Sequence, residues 1–94
     1  MLRIRLLAWY AYIANRSEVE MELPEGATLR DLLEELSDMV GGDFKERVFN
    51  PKTGGLLSPP PVITVNGEYT SRPLKSVKIR DGDEIALFPP AAGG

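Results

Sequence analysis

Residues 28–42, TLRDLLEELSDMVGG, decide how the rest of the chain can fold. Leucines recur here at helical spacing, at positions 29, 32, 33 and 36, and so form one apolar stripe. The Thr28 hydroxyl can satisfy an orphan backbone amide, and Asp31 suits the positive end of the helix dipole. Gly41-Gly42 predicts the helix end, because glycine adopts the left-handed cap conformation without a Cβ clash. This segment is the main helix, and its stripe must lie against a sheet.

Two short segments with alternating apolar residues precede this helix. Leucine and isoleucine alternate with arginine over residues 2–6, and apolar residues alternate with glutamate over residues 18–23. Because residues 14–17 between them are turn-like, we expect an opening β-hairpin with Trp9, Tyr10 and Tyr12 near its first arm. For these aromatic residues, core and hairpin packing is favoured over a platform for stacking bases, since acidic residues lie on the next strand.

The rest of the chain predicts shorter elements separated by strong turn signals. In order, they are a short helix at 43–48, a Gly- and Pro-rich loop at 50–61, a strand at 62–65 ending at Asn66-Gly67, a short return strand at 69–70, an irregular segment at 73–79 with up to one 3₁₀ turn, and a last strand at 84–88. Gly54-Gly55 in the loop lacks the Lys-Ser/Thr and the helix of a phosphate-binding loop, so a structural turn is favoured.

This element order predicts an α+β fold of the β-grasp, or ubiquitin-like, type. One main helix would cover one face of a mixed sheet of four to five strands. We expect a single β-grasp domain at 1–88 and a flexible, extended C-terminal tail at 89–94.

Composition excludes several kinds of function. The chain has 94 residues and neither Cys nor His, so a zinc finger, a Cys nucleophile and a Ser-His-Asp triad are impossible. A net charge of −3 disfavours nonspecific nucleic-acid binding, and no apolar run is long enough to span a bilayer. We therefore expect a cytoplasmic protein that binds no metal and is not an enzyme by itself.

The C-terminal segment Phe88-Pro89-Pro90-Ala91-Ala92-Gly93-Gly94 carries the clearest chemical signal. The two prolines keep the chain extended, and the last four residues carry a methyl group or no side chain. Such a thread can enter a narrow channel and present its carboxylate to another protein. A carboxylate needs activation by ATP, which requires another enzyme, because the chain has no recognisable nucleotide-binding motif. The alternative is a frayed end of small residues.

Residues 81–94 resemble the C-terminal signature of the MoaD-type small subunits of molybdopterin synthase, in the MoaD/ThiS family of ubiquitin-like sulfur carriers. That signature is a Gly-Asp-Glu turn, a hydrophobic strand, Phe-Pro-Pro, two variable residues and Gly-Gly. Ala8 after the first strand and the helix that starts at Thr28 also fit the family.

The resemblance implies a cycle in which partners provide the catalysis. An E1-like adenylyltransferase of the MoeB/ThiF type uses ATP and Mg²⁺ to adenylate Gly94, and a sulfur donor then converts the adenylate to a thiocarboxylate. The tail next enters the large synthase subunit, of the MoaE type, and delivers sulfur to cyclic pyranopterin monophosphate. Ala91, Ala92 and Gly93 permit passage through the channel, and this chain itself binds no cofactor.

Alternation along the last strand also predicts a docking patch. If Ile85 and Leu87 face the core, Ala86 and Phe88 lie on the opposite face. With Leu7 from the neighbouring strand, they would form a surface for partner enzymes at the root of the tail. Pro89 and Pro90 extend this surface toward the terminus. The alternative is that Phe88 packs under the long loop.

Three other functions stay open from the sequence. Gly94 could form isopeptide bonds with target lysines, as in a ubiquitin-like protein modifier. The carrier could serve thiamine or cysteine synthesis, although the Phe-Pro-Pro sequence favours the molybdopterin branch. The domain could also be an interaction module with an idle tail.

Overall fold

A mixed five-stranded sheet organises the molecule, which we describe from a computed structural model for residues 1–70 and 72–90. The strands are β1 (Leu2–Leu6), β2 (Glu18–Met21), β3 (Val62–Val65), β4 (Glu68–Tyr69) and β5 (Glu84–Phe88), in the spatial order β2-β1-β5-β3-β4. The central pair β1 and β5 is parallel, and all other neighbours are antiparallel. This is the predicted β-grasp fold.

Three helices connect the strands in the part of the chain that the structure describes. They are α1 (Trp9–Ala14), α2 (Leu29–Val40) and α3 (Asp43–Val48), and a 3₁₀ turn follows at Leu74–Ser76. The predicted bounds of α3, β3 and β5 are confirmed, as are the 3₁₀ turn and the loop after α3. The return strand β4 is confirmed too, shifted by one residue from its predicted position.

The core lies between α2 and one face of the sheet. The four leucines of the α2 stripe are fully buried, and so are the inward side chains of the two central strands. The residues at 0% exposure are Ile4, Leu29, Leu32, Leu33, Leu36, Phe44, Val48, Ile85 and Leu87. Their burial confirms that the helical stripe and the strand alternation face one another.

Reciprocal hydrogen bonds begin α2 as predicted. The Asp31 amide donates to the Thr28 hydroxyl (3.3 Å), and the Thr28 amide donates to the Asp31 carboxylate (2.9 Å). The Thr28 hydroxyl also lies 3.1 Å from the same carboxylate oxygen and donates to it. The bonds from the Thr28 amide and hydroxyl favour the charged carboxylate, so they hold the pKa of Asp31 below its ordinary value. At the other end, Gly41 has φ 72° and ψ −166°. Glycine does end the helix, but the predicted left-handed helical conformation is wrong.

The predicted antiparallel pairing of the first two strands is confirmed, but the simple hairpin connection is wrong, because α1 lies between β1 and β2. Tyr10 and Ala14, four residues apart, share the buried side of α1. This spacing is typical of a helix and not of an extended strand arm. The Tyr10 ring packs edge-on against Phe44 at 5.9 Å between centroids, and burial raises the pKa of its hydroxyl. Trp9 and Tyr12 are exposed, so core packing holds for Tyr10 alone.

Arg30 fixes the loop after α3 to α2. Its guanidinium donates to the Gly54 carbonyl (2.6 Å) and lies 4.4 Å from the centre of the Phe49 ring. Backbone bonds between Asn50 and Gly55 close a tight turn beside it. Gly54-Gly55 therefore belongs to a structural turn, as predicted.

Candidate functional site

The face of the sheet opposite α2 carries the predicted docking residues. On β5, Ile85 and Leu87 are buried in the core, whereas Ala86 and Phe88 point to this open face and are half-buried. Register places Phe88 opposite Val62 of β3. The predicted alternation is confirmed, and Phe88 is half-buried on the open face instead of fully exposed.

A groove on the open face brings Leu7, Ala86 and Phe88 together. The Leu7 amide donates to the Leu87 carbonyl (3.1 Å), so residue 7 continues the pairing of β1 beyond its end. The Leu7 side chain is 36% exposed. Residues that the sequence predicted as one patch therefore share one groove, at the end of β5 from which the tail continues. Their role in docking stays a prediction.

The open face in and beside this groove becomes charged toward the start of β5. Arg3 Nε lies 3.1 Å from a Glu18 carboxylate oxygen, and Arg5 Nε lies 3.9 Å from Glu84. All four side chains are about half exposed, so solvent screens these pairs. The groove thus offers an apolar end beside the tail and a polar end of paired charges.

The tail itself is described only at its start. Pro89 and Pro90 are half-buried and follow directly on Phe88. Ala91, Ala92, Gly93 and Gly94 lie outside the described residues, so the predictions of a channel-threading tail, a reactive terminus and a division after residue 88 rest on sequence.

A side-chain network that the sequence did not predict fixes the far end of β5. The Asn66 amide group donates to the Asp83 carboxylate (2.9 Å), and the Asn66 side-chain oxygen accepts from the Glu84 amide (3.0 Å). Asp83 also accepts from the Arg80 amide (2.8 Å). These bonds join the Asn66-Gly67 turn to the turn at residues 81–83. Each turn is recognisable in the sequence, but the hydrogen bonds between them are visible only in the structure. Asp83 therefore fixes the turn that precedes β5.

Within residues 1–70 and 72–90, no three acidic residues cluster in a way that could hold a metal ion. In the same residues, no helix is long and apolar enough to cross a bilayer.

Comparison with known sequences places this geometry in a family. Residues 4–94 match the sequence profile of the ThiS family. The chain belongs to the ThiS family. It is therefore a member of a family of ubiquitin-like sulfur carriers and modifiers. The ThiS-family match includes the whole C-terminal segment that the structure describes only in part.

Solved structures of similar length support the assignment. SAMP1 from Haloferax volcanii has 31% identity and a TM-score of 0.83, with 99% of this chain and 98% of that chain covered. The putative molybdopterin converting factor subunit 1 from Pyrococcus furiosus has 37% identity and a TM-score of 0.74, with 96% and 97% covered.

A more distant similarity shares the fold alone. Subunit 1 and 2 of the molybdopterin-converting factor from Helicobacter pylori form a protein complex in which the matched chain has 19% identity and a TM-score of 0.61, with 99% and 97% covered. A search of curated proteins gave no match.

Proposed function

We propose that this chain carries sulfur on Gly94 for molybdopterin synthesis, as the small subunit of a molybdopterin synthase. The observation that carries the proposal is the 37% identity, over almost the full length of both chains, to a putative molybdopterin converting factor subunit 1. The apolar groove of Leu7, Ala86 and Phe88 supports it, because partners that act on the terminus need a surface at its root.

The charging step needs two partner-catalysed substitutions, the first at the α-phosphorus of ATP and the second at the Gly94 carbonyl carbon. A carboxylate oxygen first attacks the α-phosphorus of ATP, which forms an acyl-adenylate and releases pyrophosphate. The terminal sulfur of a persulfide on a donor protein then attacks the Gly94 carbonyl carbon, and AMP leaves with one oxygen, which gives an acyl disulfide. A thiol of the donor cleaves its S–S bond, so the thiocarboxylate leaves and the donor is left with a disulfide. An E1-like adenylyltransferase catalyses the first step and supplies the Mg²⁺ site.

The sulfur-transfer step takes place in the large subunit. There the thiocarboxylate sulfur attacks a side-chain carbon of cyclic pyranopterin monophosphate and displaces an oxygen substituent from it, which gives a thioester. Water then cleaves the thioester, so the sulfur stays on the pterin and the Gly94 carboxylate is returned. This chain contributes a thin terminus and a docking face, and the catalytic side chains belong to the partner. The role of Ala91, Ala92 and Gly93 is to leave the channel unobstructed.

Reconstituted synthesis tests the proposed pathway. Thiocarboxylated wild-type protein, mixed with a MoaE-type large subunit and cyclic pyranopterin monophosphate, is expected to yield molybdopterin, detected as its fluorescent oxidation product. Uncharged protein and a variant lacking Gly94 are the matched controls. Charged carrier that yields no molybdopterin while retaining its sulfur would contradict the molybdopterin branch.

Protein modification is the second candidate, favoured by the TM-score of 0.83 and 31% identity to a small archaeal modifier protein. In this reaction, a lysine amine of the target attacks the activated Gly94 carbonyl and AMP leaves, giving an isopeptide bond. The test is denaturing electrophoresis under reducing conditions after incubation with the activating enzyme, ATP and candidate targets. Conjugates that carry a Gly-Gly remnant on lysine after proteolysis would establish the modifier role.

A further inference from the structure

The turn that joins β1 to α1 holds an alanine in a conformation that normally belongs to glycine. Ala8 has φ 51° and ψ −127°, and the Tyr10 amide donates to the Leu7 carbonyl across the turn at 3.2 Å. These values match the first central position of a type II′ turn, where glycine dominates because a Cβ is unfavourable there.

At its other positive-φ positions, the chain has residue types that tolerate this backbone conformation. Among the described residues, glycine occupies six such positions: Gly26, Gly41, Gly42, Gly54, Gly67 and Gly82. Asn15 and Asn66 occupy two more, and asparagine tolerates positive φ better than most residues. Ala8 is the exception. Because it is exposed, burial of its methyl group in the core does not explain why glycine is absent.

Hydrogen bonds on both sides hold the turn in place. On the strand side, the Leu7 amide donates to the Leu87 carbonyl (3.1 Å). On the helix side, the Ala8 carbonyl accepts from the amides of Ala11 (3.1 Å) and Tyr12 (3.2 Å). The surrounding fold therefore imposes the Ala8 conformation. Within this imposed conformation, a Cβ restricts the φ and ψ values around the turn that glycine would sample freely.

We propose that Ala8 is a positioning residue, whose Cβ stiffens the turn so that Leu7 stays beside Ala86 and Phe88 before a partner binds. The partner is the enzyme that activates the terminus, so the inference rests on the proposed function. A preformed patch loses less conformational freedom on docking than a mobile one, which tightens binding without adding a contact. The strain at Ala8 is thus linked to recognition, as backbone outliers often are.

Kinetics of terminal activation by a cognate adenylyltransferase test this role. For Ala8→Gly we expect the KM for the carrier to rise about threefold or more, as ordering one or two residues on binding requires. The kcat should stay unchanged, because the reacting carboxylate is untouched. The melting temperature should not fall, since glycine relieves the strained φ.

Two variants separate stiffness from other effects. Ala8→Ser keeps the Cβ and should keep the wild-type KM. Asn15→Gly changes a residue with φ 56° at the other end of α1 and should also leave KM unchanged. A wild-type KM in Ala8→Gly would overturn the inference, and so would an equal rise in Ala8→Ser.

An NMR readout does not depend on the proposed function. The amide order parameter of Leu7 should fall in Ala8→Gly and stay at the wild-type value in Ala8→Ser. Unchanged order in Ala8→Gly would overturn the role of Ala8 even if the terminus is charged normally. If the order of Leu7 falls in Ala8→Gly but the wild-type terminus is never charged, the result would instead count against the proposed function.

Discussion

The two faces of β5 differ sharply, although their residues alternate along five positions. Ile85 and Leu87 are fully buried against the core, whereas Ala86 and Phe88 are half-buried on the open face. The first pair shares the core with the α2 leucines, whereas among the described residues the second pair lies in a groove that no helical residue lines. One strand therefore stabilises the fold with one face and offers a candidate recognition surface with the other. Substitutions on the two faces should affect different measurements.

The largest expected effect is on stability, from Leu87→Ala on the inner face. The side chain is at 0% exposure, so truncation leaves a cavity and should lower the free energy of unfolding by about 2–5 kcal/mol. Urea denaturation measures the change. A loss below about 1 kcal/mol would show that the inner face is less tightly packed than the burial indicates.

On the open face, Phe88→Ala should act mainly on partner binding. Half burial limits the stability loss to about 1 kcal/mol, whereas truncating a central aromatic anchor typically weakens binding by about 2 kcal/mol or more. The KM for activation of the terminus by the adenylyltransferase measures this loss of binding. Tyr69→Ala is the matched control, because Tyr69 is an exposed aromatic residue (79%) outside the groove. Equal effects of the two variants on KM would contradict a docking role for Phe88.

The hydrogen bonds at the start of α2 stabilise the helix that packs on the inner face, so a substitution there should affect stability and not binding. Thr28→Ala removes the hydroxyl that accepts from the Asp31 amide and should lower the unfolding free energy by about 1 kcal/mol. The KM for activation should stay unchanged, which distinguishes this variant from Phe88→Ala. A raised KM would show that the two faces are coupled.

The pH dependence of the unfolding free energy should reflect the same hydrogen bonds between Thr28 and Asp31. Because the folded-state pKa of Asp31 is lowered, its contribution is fully present above the ordinary Asp pKa and is lost as pH falls through the folded-state value. In Thr28→Ala, NMR titration of the carboxyl group should place the Asp31 pKa closer to its ordinary value. An unchanged titration would mean that the Thr28 side chain does not cause the shift, leaving the backbone bond as its source.

The smallest effect is expected at the polar end of the groove. Arg5 Nε and Glu84 are 3.9 Å apart and both are about half exposed, so Arg5→Gln should change the unfolding free energy by less than about 1 kcal/mol. Raising the salt concentration should reduce even this difference. A larger loss in urea denaturation would show that the open face contributes more to stability than its exposure indicates.

Local sequence patterns predicted the inner face well. The leucine spacing of α2, the Thr28–Asp31 pair and the alternation of β5 each specify an element within a few residues. The helix α1 was missed because its six residues include too little periodicity to separate a helix from a strand. The Ala8 turn was missed for a related reason, since no glycine marks it.

Links between distant residues could not be predicted locally. Asn66 and Asp83 each belong to a recognisable turn, but their hydrogen bond joins residues 17 positions apart. The groove was anticipated from alternation in β5 and from the neighbouring position of Leu7. The carrier role of Gly94 came from resemblance, because a terminal glycine pair has little chemical signal of its own.

The most direct measurement is the intact mass of the protein after incubation with ATP, Mg²⁺, an E1-like adenylyltransferase and a sulfur donor. We predict a mass gain equal to the exchange of one oxygen for one sulfur, localised by fragmentation to Gly94 and absent from a variant that lacks this residue. No mass gain with an adenylyltransferase shown to bind the protein, or a gain located elsewhere in the chain, would contradict the carrier function.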